Sequence, residues 1–307
     1  MTIEVESSAR DSGFGRLTRF VAVRFPPWVH GPVALLLAWS FEALTVSVGS
    51  HRPWSPGIGS VDRAVTVVLV LLFLRMVDEH KDLDYDRIHH PGRPLVTGAV
   101  RTTDLRTGRW ITAGLVLLLN MYSPALCVAV LLVLGAGLLL WAVENTWPPA
   151  RADIVVNLVL AVPIHLLLSG YLYLSLVLAG AVRADARVLV GLMVVFCALF
   201  MHVEFARKTR PGEYGERLYS DVLGPGLSAT ITVALAVLVS VVHASLTRPW
   251  QFQHSALAIA LVPQLALILP LYGALRFRRT RSWPVATAVA FAVVCCLGFL
   301  AHAALPR

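Results

Sequence analysis

Residues 65–87 read VTVVLVLLFLRMVDEHKDLDYDR. The segment Val65–Leu74 is free of charge, and Asp78, Glu79, Asp82, Asp84 and Asp86 follow within nine residues. Asp78, Asp82 and Asp86 are spaced i, i+4, i+8. If the helix continues beyond its apolar part, these three stand in a row on one side, neighbouring Cβ atoms about 6 Å apart. Three like charges so placed repel one another, and a divalent cation reverses that balance. Magnesium takes oxygen ligands and binds through one or two carboxylates together with substrate phosphates. The row, with Lys81, Arg87, Arg93 and Arg101 nearby, therefore has the character of a site for Mg2+ and a diphosphate. Asp82-Leu-Asp84-Tyr-Asp86 opens like a calcium loop, but Arg87 and Arg93 occupy the glycine and bidentate-acid positions. His80, His89 and His90 match no common zinc spacing. The plain alternative is a solvated charged loop at a helix end.

Working outward, the 307 residues are 57% hydrophobic and 14% charged, with mean hydropathy +0.72. A water-soluble domain carries about 25% charged residues. Apolar runs near the ~20 residues needed to cross a bilayer recur from Trp28 onward. The expectation is an all-α polytopic membrane protein, a bundle of about nine transmembrane helices around a central apolar cavity. The nine runs are 28–49, 61–77, 107–121, 123–142, 153–179, 187–205, 222–245, 254–275 and 284–304, the fifth with Pro163 as a site to bend. Residues 1–27 read as a cytoplasmic arm rather than a signal peptide, with Arg10, Arg16, Arg19 and Arg24 suited to anionic headgroups. Residues 28–307 read as one transmembrane domain.

Basic residues set the expected sidedness. Four Arg lie in the arm, seven Lys or Arg between Arg75 and Arg109, and four each in 207–217 and 276–281, out of 26 in the chain. The positive-inside rule places these connections in the cytoplasm, in an inner or plasma membrane. The net charge of +8 is explained by this topology, so no nucleic-acid partner is expected; no protein partner is evident either. Cys127, Cys197, Cys295 and Cys296 all fall in apolar runs and read as reduced packing residues.

A second polar segment, EFARKTRPGEYGERLYSD, spans residues 204–221. Arg207, Lys208 and Arg210 can grip phosphate oxygens. Glu204, Glu213, Glu216 and Asp221 can hold a second cation or orient the bases.

Together these features resemble the UbiA superfamily of intramembrane prenyltransferases. The family's first motif, Asn-x-x-x-Asp-x-x-x-Asp followed by Arg-Pro, stands here as Asp78, Asp82 and Asp86 with Arg93-Pro94. Glu204 and Arg207 match the lead-in to the second motif, and Lys208 stands where the family commonly has Asp. The resemblance implies nine helices and a Mg2+-dependent enzyme that ionises an isoprenyl diphosphate at a cytoplasmic mouth. The prenyl group then passes to a lipophilic acceptor, aromatic by preference, with release of diphosphate. The implied metal ligands are Asp78, Asp82, Asp86, Glu213 and Glu216. Lys81, Arg93, Arg101, Arg207, Lys208 and Arg210 bind diphosphate, and Glu204 and Lys208 join the three Asp as catalytic groups. Aromatic faces stabilise a carbocation, for which Phe73, Trp141, Tyr171, Tyr173 and Phe205 are candidates. A second reading is a UbiA-type terpene cyclase, in which a substrate such as farnesyl diphosphate closes on itself without acceptor. A remote third is a transporter, raised by Glu42, Asn157 and His165 inside the apolar runs.

Overall fold

A computed structural model of the chain describes residues 12–50, 53–212 and 216–305. Among these residues there is no strand; backbone groups pair within helices, the arrangement that hydrocarbon imposes on a crossing chain. In order, the helices are α1 (Gly13–Arg24), α2 (Pro27–Gly49), α3 (Ile58–Lys81), α4 (Leu83–His89), α5 (Thr102–Asn120), α6 (Pro124–Thr146) and α7 (Pro148–Ala152). There follow α8 (Ile154–Leu178), α9 (Ala186–Arg207), α10 (Tyr219–Val222), α11 (Pro225–Thr247), α12 (His254–Ala260), α13 (Val262–Leu265), α14 (Ile268–Thr280) and α15 (Val285–Ala303). Six are long and apolar enough to cross a membrane: α2, α6, α8, α9, α11 and α15. The expected spans in α3 and α5 form helices of 24 and 19 residues, but Asp62, Arg63 and Arg75 in α3 and Arg106 and Arg109 in α5 lower their apolarity. Nine full spans are therefore more than length and composition support.

The chain forms two compact units, one of the residues up to Leu35 with Val61–Arg151, the other of Leu36–Ser60 with the residues from Ala152 onward. In the first unit α1 packs on α5. Phe20, Met76, Leu95, Val100 and Leu105 form a shared buried cluster, and full burial of a side chain such as Phe20 contributes about 1.5–3 kcal/mol. Gly108 permits the close approach: a Cβ there would lie 2.8 Å from both Leu17 Cδ1 and Met76 Sδ. Arg16 donates through Nε and Nη2 to Asp104, at 2.7 and 2.8 Å, and Arg24 lies 2.7 Å from Glu79. The arm is thus a docked helix from Gly13 onward, and Arg16 and Arg24 are held by acids rather than left for headgroups. Arg10 lies outside the described residues. Asp104 also accepts the N–H of Arg101 at 2.9 Å, closing the first turn of α5. Asn120, buried, donates to Thr66 at 3.2 Å and ties α5 to α3.

In the second unit α9 and α11 pack along one another, and Gly191 makes room for Leu246, which a Cβ would approach to 2.8 Å. Helix α8 runs without interruption through Pro163. The polar groups behind the transporter reading have local partners. Ser60 donates to Glu42 at 2.8 Å, and the His165 ring lies 3.8 Å from that of Phe200 with Nδ1 3.3 Å from the Ala161 carbonyl. Such contacts join neighbouring apolar helices. All four cysteines are free; Cys197, Cys295 and Cys296 are buried and Cys127 half-buried.

The expected span 254–275 departs most from a single helix, since it breaks into α12, α13 and α14. Pro263 and Pro270 lie in it, and each removes a backbone donor and disfavours helix in the residue before it. The Pro263 carbonyl finds a partner in α11, accepting from the Ser240 hydroxyl at 3.0 Å, and the Gln264 side-chain amide donates to the Ser240 carbonyl at 3.0 Å.

Candidate functional site

The acid row keeps its helical phase past the end of α3. Asp82 N–H donates to the Asp78 carbonyl at 2.9 Å, Asp86 to Asp82 at 2.8 Å, and His90 to Asp86 at 2.8 Å. At about 100° per residue, Asp78, Asp82 and Asp86 lie within roughly 80° of one another around the axis, as the spacing predicts. Their surroundings differ. Asp78 is 46% exposed and lies 3.5 Å from Lys81 Nζ. Asp82 is half-buried and forms no ion pair among the described residues. Asp86 is 2% exposed, pairs with Arg93, and leaves Oδ1 without a partner. Burial pushes the Asp86 carboxyl above the ordinary aspartate range, against the pull of Arg93.

Lys81 is the hub of this region. Its Nζ lies 3.1 Å from Glu144 Oε1, at the end of α6. Burial disfavours its charge, but Asp78, Asp82 and Glu144 outweigh that and hold the ammonium above the ordinary lysine range. Glu144 was not singled out in the sequence, although a lone acid three residues past Trp141 in an apolar helix was the available signal. The other acids of the stretch are structural. Glu79 is buried between Arg24 and Arg75, at 2.7 and 2.6 Å. Asp84 faces outward to Arg87 at 3.2 Å and Arg151 at 2.9 Å. Arg93 is engaged by Asp86, whereas Arg101 is exposed at the start of α5.

The second segment is neutralised from within. Glu204, at the end of α9, offers one oxygen to Arg207 and the other to Lys208, each at 2.7 Å. Lys208 Nζ lies 5.7 Å from the centre of the Tyr219 ring, and Phe205 stacks on the same ring at 4.1 Å. The loop returns on itself through Tyr219 N–H to the Lys208 carbonyl, 3.1 Å. Arg210 pairs with Glu216 at 2.9 Å. Glu213 lies outside the described residues. Phe205 thus belongs to a stacked pair. The Tyr173 hydroxyl is tied to the 183–185 loop, donating to the Asp185 carbonyl at 3.1 Å and accepting its N–H at 2.8 Å. Tyr171 is buried in α8. Phe73 and Trp141 line a cavity of about 550 Å3 in the first unit.

Among the described residues, no group of three or more His, Cys, Asp or Glu side chains is gathered to hold a metal. Magnesium shared with a diphosphate asks for less: one or two carboxylates, the other ligands being phosphate and water. Asp78 and Asp82 meet that requirement, and the orphaned Asp86 Oδ1 adds an acceptor beside them in the row.

No protein-family model matches the chain, and no curated protein does. Solved structures do. Digeranylgeranylglyceryl phosphate synthase aligns over 94% of this chain and 99% of its own, at 15% identity and TM-score 0.60. The UbiA homologue of Archaeoglobus fulgidus, solved with DMAPP and Mg2+, aligns over 90% and 96%, at 16% identity and TM-score 0.59. That of Aeropyrum pernix K1 aligns over 88% and 97%, at 15% identity and TM-score 0.56. The likeness spans nearly the whole of each chain. This chain has the UbiA fold and is an integral membrane protein.

Proposed function

We propose that the chain is a divergent member of the UbiA superfamily, a Mg2+-dependent intramembrane enzyme that ionises an isoprenyl diphosphate and transfers the prenyl group to a lipophilic acceptor. The observation that carries this reading is the acid row. Asp78, Asp82 and Asp86 stay in helical phase beyond α3, with Asp82 in no ion pair among the described residues, in a fold shared with a protein solved with DMAPP and Mg2+.

Asp78 and Asp82 would hold Mg2+, whose charge offsets that of the departing diphosphate. Lys81, kept cationic by Asp78, Asp82 and Glu144, adds a fixed positive charge beside the row. Arg101, exposed at the start of α5, would take a phosphate oxygen. Arg207, Lys208, Arg210 and Glu204 are assigned to diphosphate binding and catalysis on the sequence resemblance alone. The C–O bond of the substrate breaks and its electron pair leaves with diphosphate. The allylic cation is shielded from water by apolar helices until a new bond forms to the acceptor, which loses a proton.

The test is diphosphate release by the purified full chain from farnesyl or geranylgeranyl diphosphate, with product analysis by mass spectrometry. Release that requires Mg2+ and disappears in Asp82→Ala supports the reading; release indifferent to both overturns it. A hydrocarbon formed without acceptor would assign the cyclase reaction instead.

A further inference from the structure

The cavity in the first unit does not belong to the acid row. His80 and Phe73, on α3, line it, and both lie roughly 160–220° around the helix from Asp78 and Asp82. Its other walls come from α5 and α6. Arg109 is the decisive residue. It is 8% exposed, lines the cavity, and leaves Nη1 without a hydrogen-bond partner. No carboxylate among the described residues pairs with it; its guanidinium lies over the Trp141 ring, 5.1 Å from Cζ to centroid. Arg106, one turn earlier on α5, lines the same space, so two cations meet there without an acid. A buried charge left uncompensated is costly, and a cation over an aromatic ring recovers only part of that cost. The remainder calls for an anion.

The walls describe that anion further. Thr102 opens the polar end beside Arg106, while Trp110, Phe73 and Trp141 supply apolar surface. Arg109 lies seven residues into α5, about 10 Å along its axis from Thr102. We infer that this cavity binds an anionic phosphate-bearing amphiphile, one whose headgroup carries no compensating cation, the phosphate meeting Arg106 and Arg109 and the hydrocarbon lying against the aromatic wall. It is a site separate from the one assigned to the prenyl diphosphate and does not depend on that assignment.

Thermal unfolding of the full chain in detergent tests this, with EDTA present so that the acid row holds no metal. Mixed micelles of phosphatidylglycerol, micelles of phosphatidylcholine, and inorganic phosphate are compared. The expected result is a rise in midpoint with phosphatidylglycerol, absent with phosphatidylcholine and lost in Arg109→Gln. A rise with inorganic phosphate as well, also lost in that variant, assigns a free phosphate as the ligand; a rise with the lipid alone assigns a membrane headgroup. Without added anion, Arg109→Gln should unfold no earlier than the parent, since it removes an unpaired buried charge. Should that variant fail to fold, the exposed Arg106→Gln decides by the same loss of shift. No rise with either anion, or a full rise retained in the variants, overturns the inference.

Discussion

Lys81, at the end of α3, joins Glu144 of α6 through an ion pair of 3.1 Å, with Glu144 buried. Removing one partner of a buried pair strands the other. Glu144→Ala should therefore lower stability by about 3 kcal/mol, whereas Lys81→Met with Glu144→Leu should restore most of it. Denaturation of the single and double variants in the same detergent checks this. Equal losses in both would show that the ion pair is not the source.

Of the five acids of the opening stretch, Asp82 forms no ion pair among the described residues, whereas Glu79 is clasped by two arginines. Asp82→Ala should reduce diphosphate release by about 10²-fold or more while leaving the unfolding midpoint in place. Glu79→Gln should do the reverse in kind: the midpoint falls because Arg24 and Arg75 lose their shared partner, and turnover per folded molecule persists. Parallel activity and melting measurements separate the two.

Acid should loosen α1 in a defined direction. The hydrogen bonds from Arg16 hold the Asp104 carboxyl below the ordinary aspartate value of 3.8. Its folded-state pKa is depressed, so the pair's contribution is complete above the unfolded value and is lost as pH falls through the folded one. Proteolysis within residues 13–24 should accelerate only below the ordinary aspartate range. In Asp104→Asn the acceleration should be present already at neutral pH.

The distribution of basic residues underlies the proposed sidedness. A thiol introduced by Arg87→Cys, an exposed position, should be shielded from a membrane-impermeant reagent in intact cells. One introduced by Arg183→Cys, also exposed, should be labelled. The opposite pattern would invert the proposed cytoplasmic mouth.

The helical character and the Asp row were legible because both are local. A 3.6-residue period, once begun in the apolar part of α3, fixes where Asp82 and Asp86 point, and hydrogen bonds from one residue to the fourth before it carry it through. The partners of Arg16, Arg24 and Lys81 were not legible, since Asp104, Glu79 and Glu144 lie far along the chain and meet them only by packing. The second segment differs: Glu204 and Glu216 read as acids that hold a second cation or orient the bases, and bases close by in sequence occupy them. Hydropathy also smoothed over Pro263 and Pro270, which count as ordinary members of an apolar run but deny it two donors.

That broken run has a consequence for how this sequence can drift. The Pro263 carbonyl accepts from the Ser240 hydroxyl, and the Gln264 side-chain amide donates to the Ser240 backbone carbonyl. A relative with an ordinary helix former at 263 could continue the helix and satisfy that carbonyl from within, so the hydroxyl at 240 and the proline at 263 should be inherited together. Their joint variation, or its lack, can be read from an alignment of relatives.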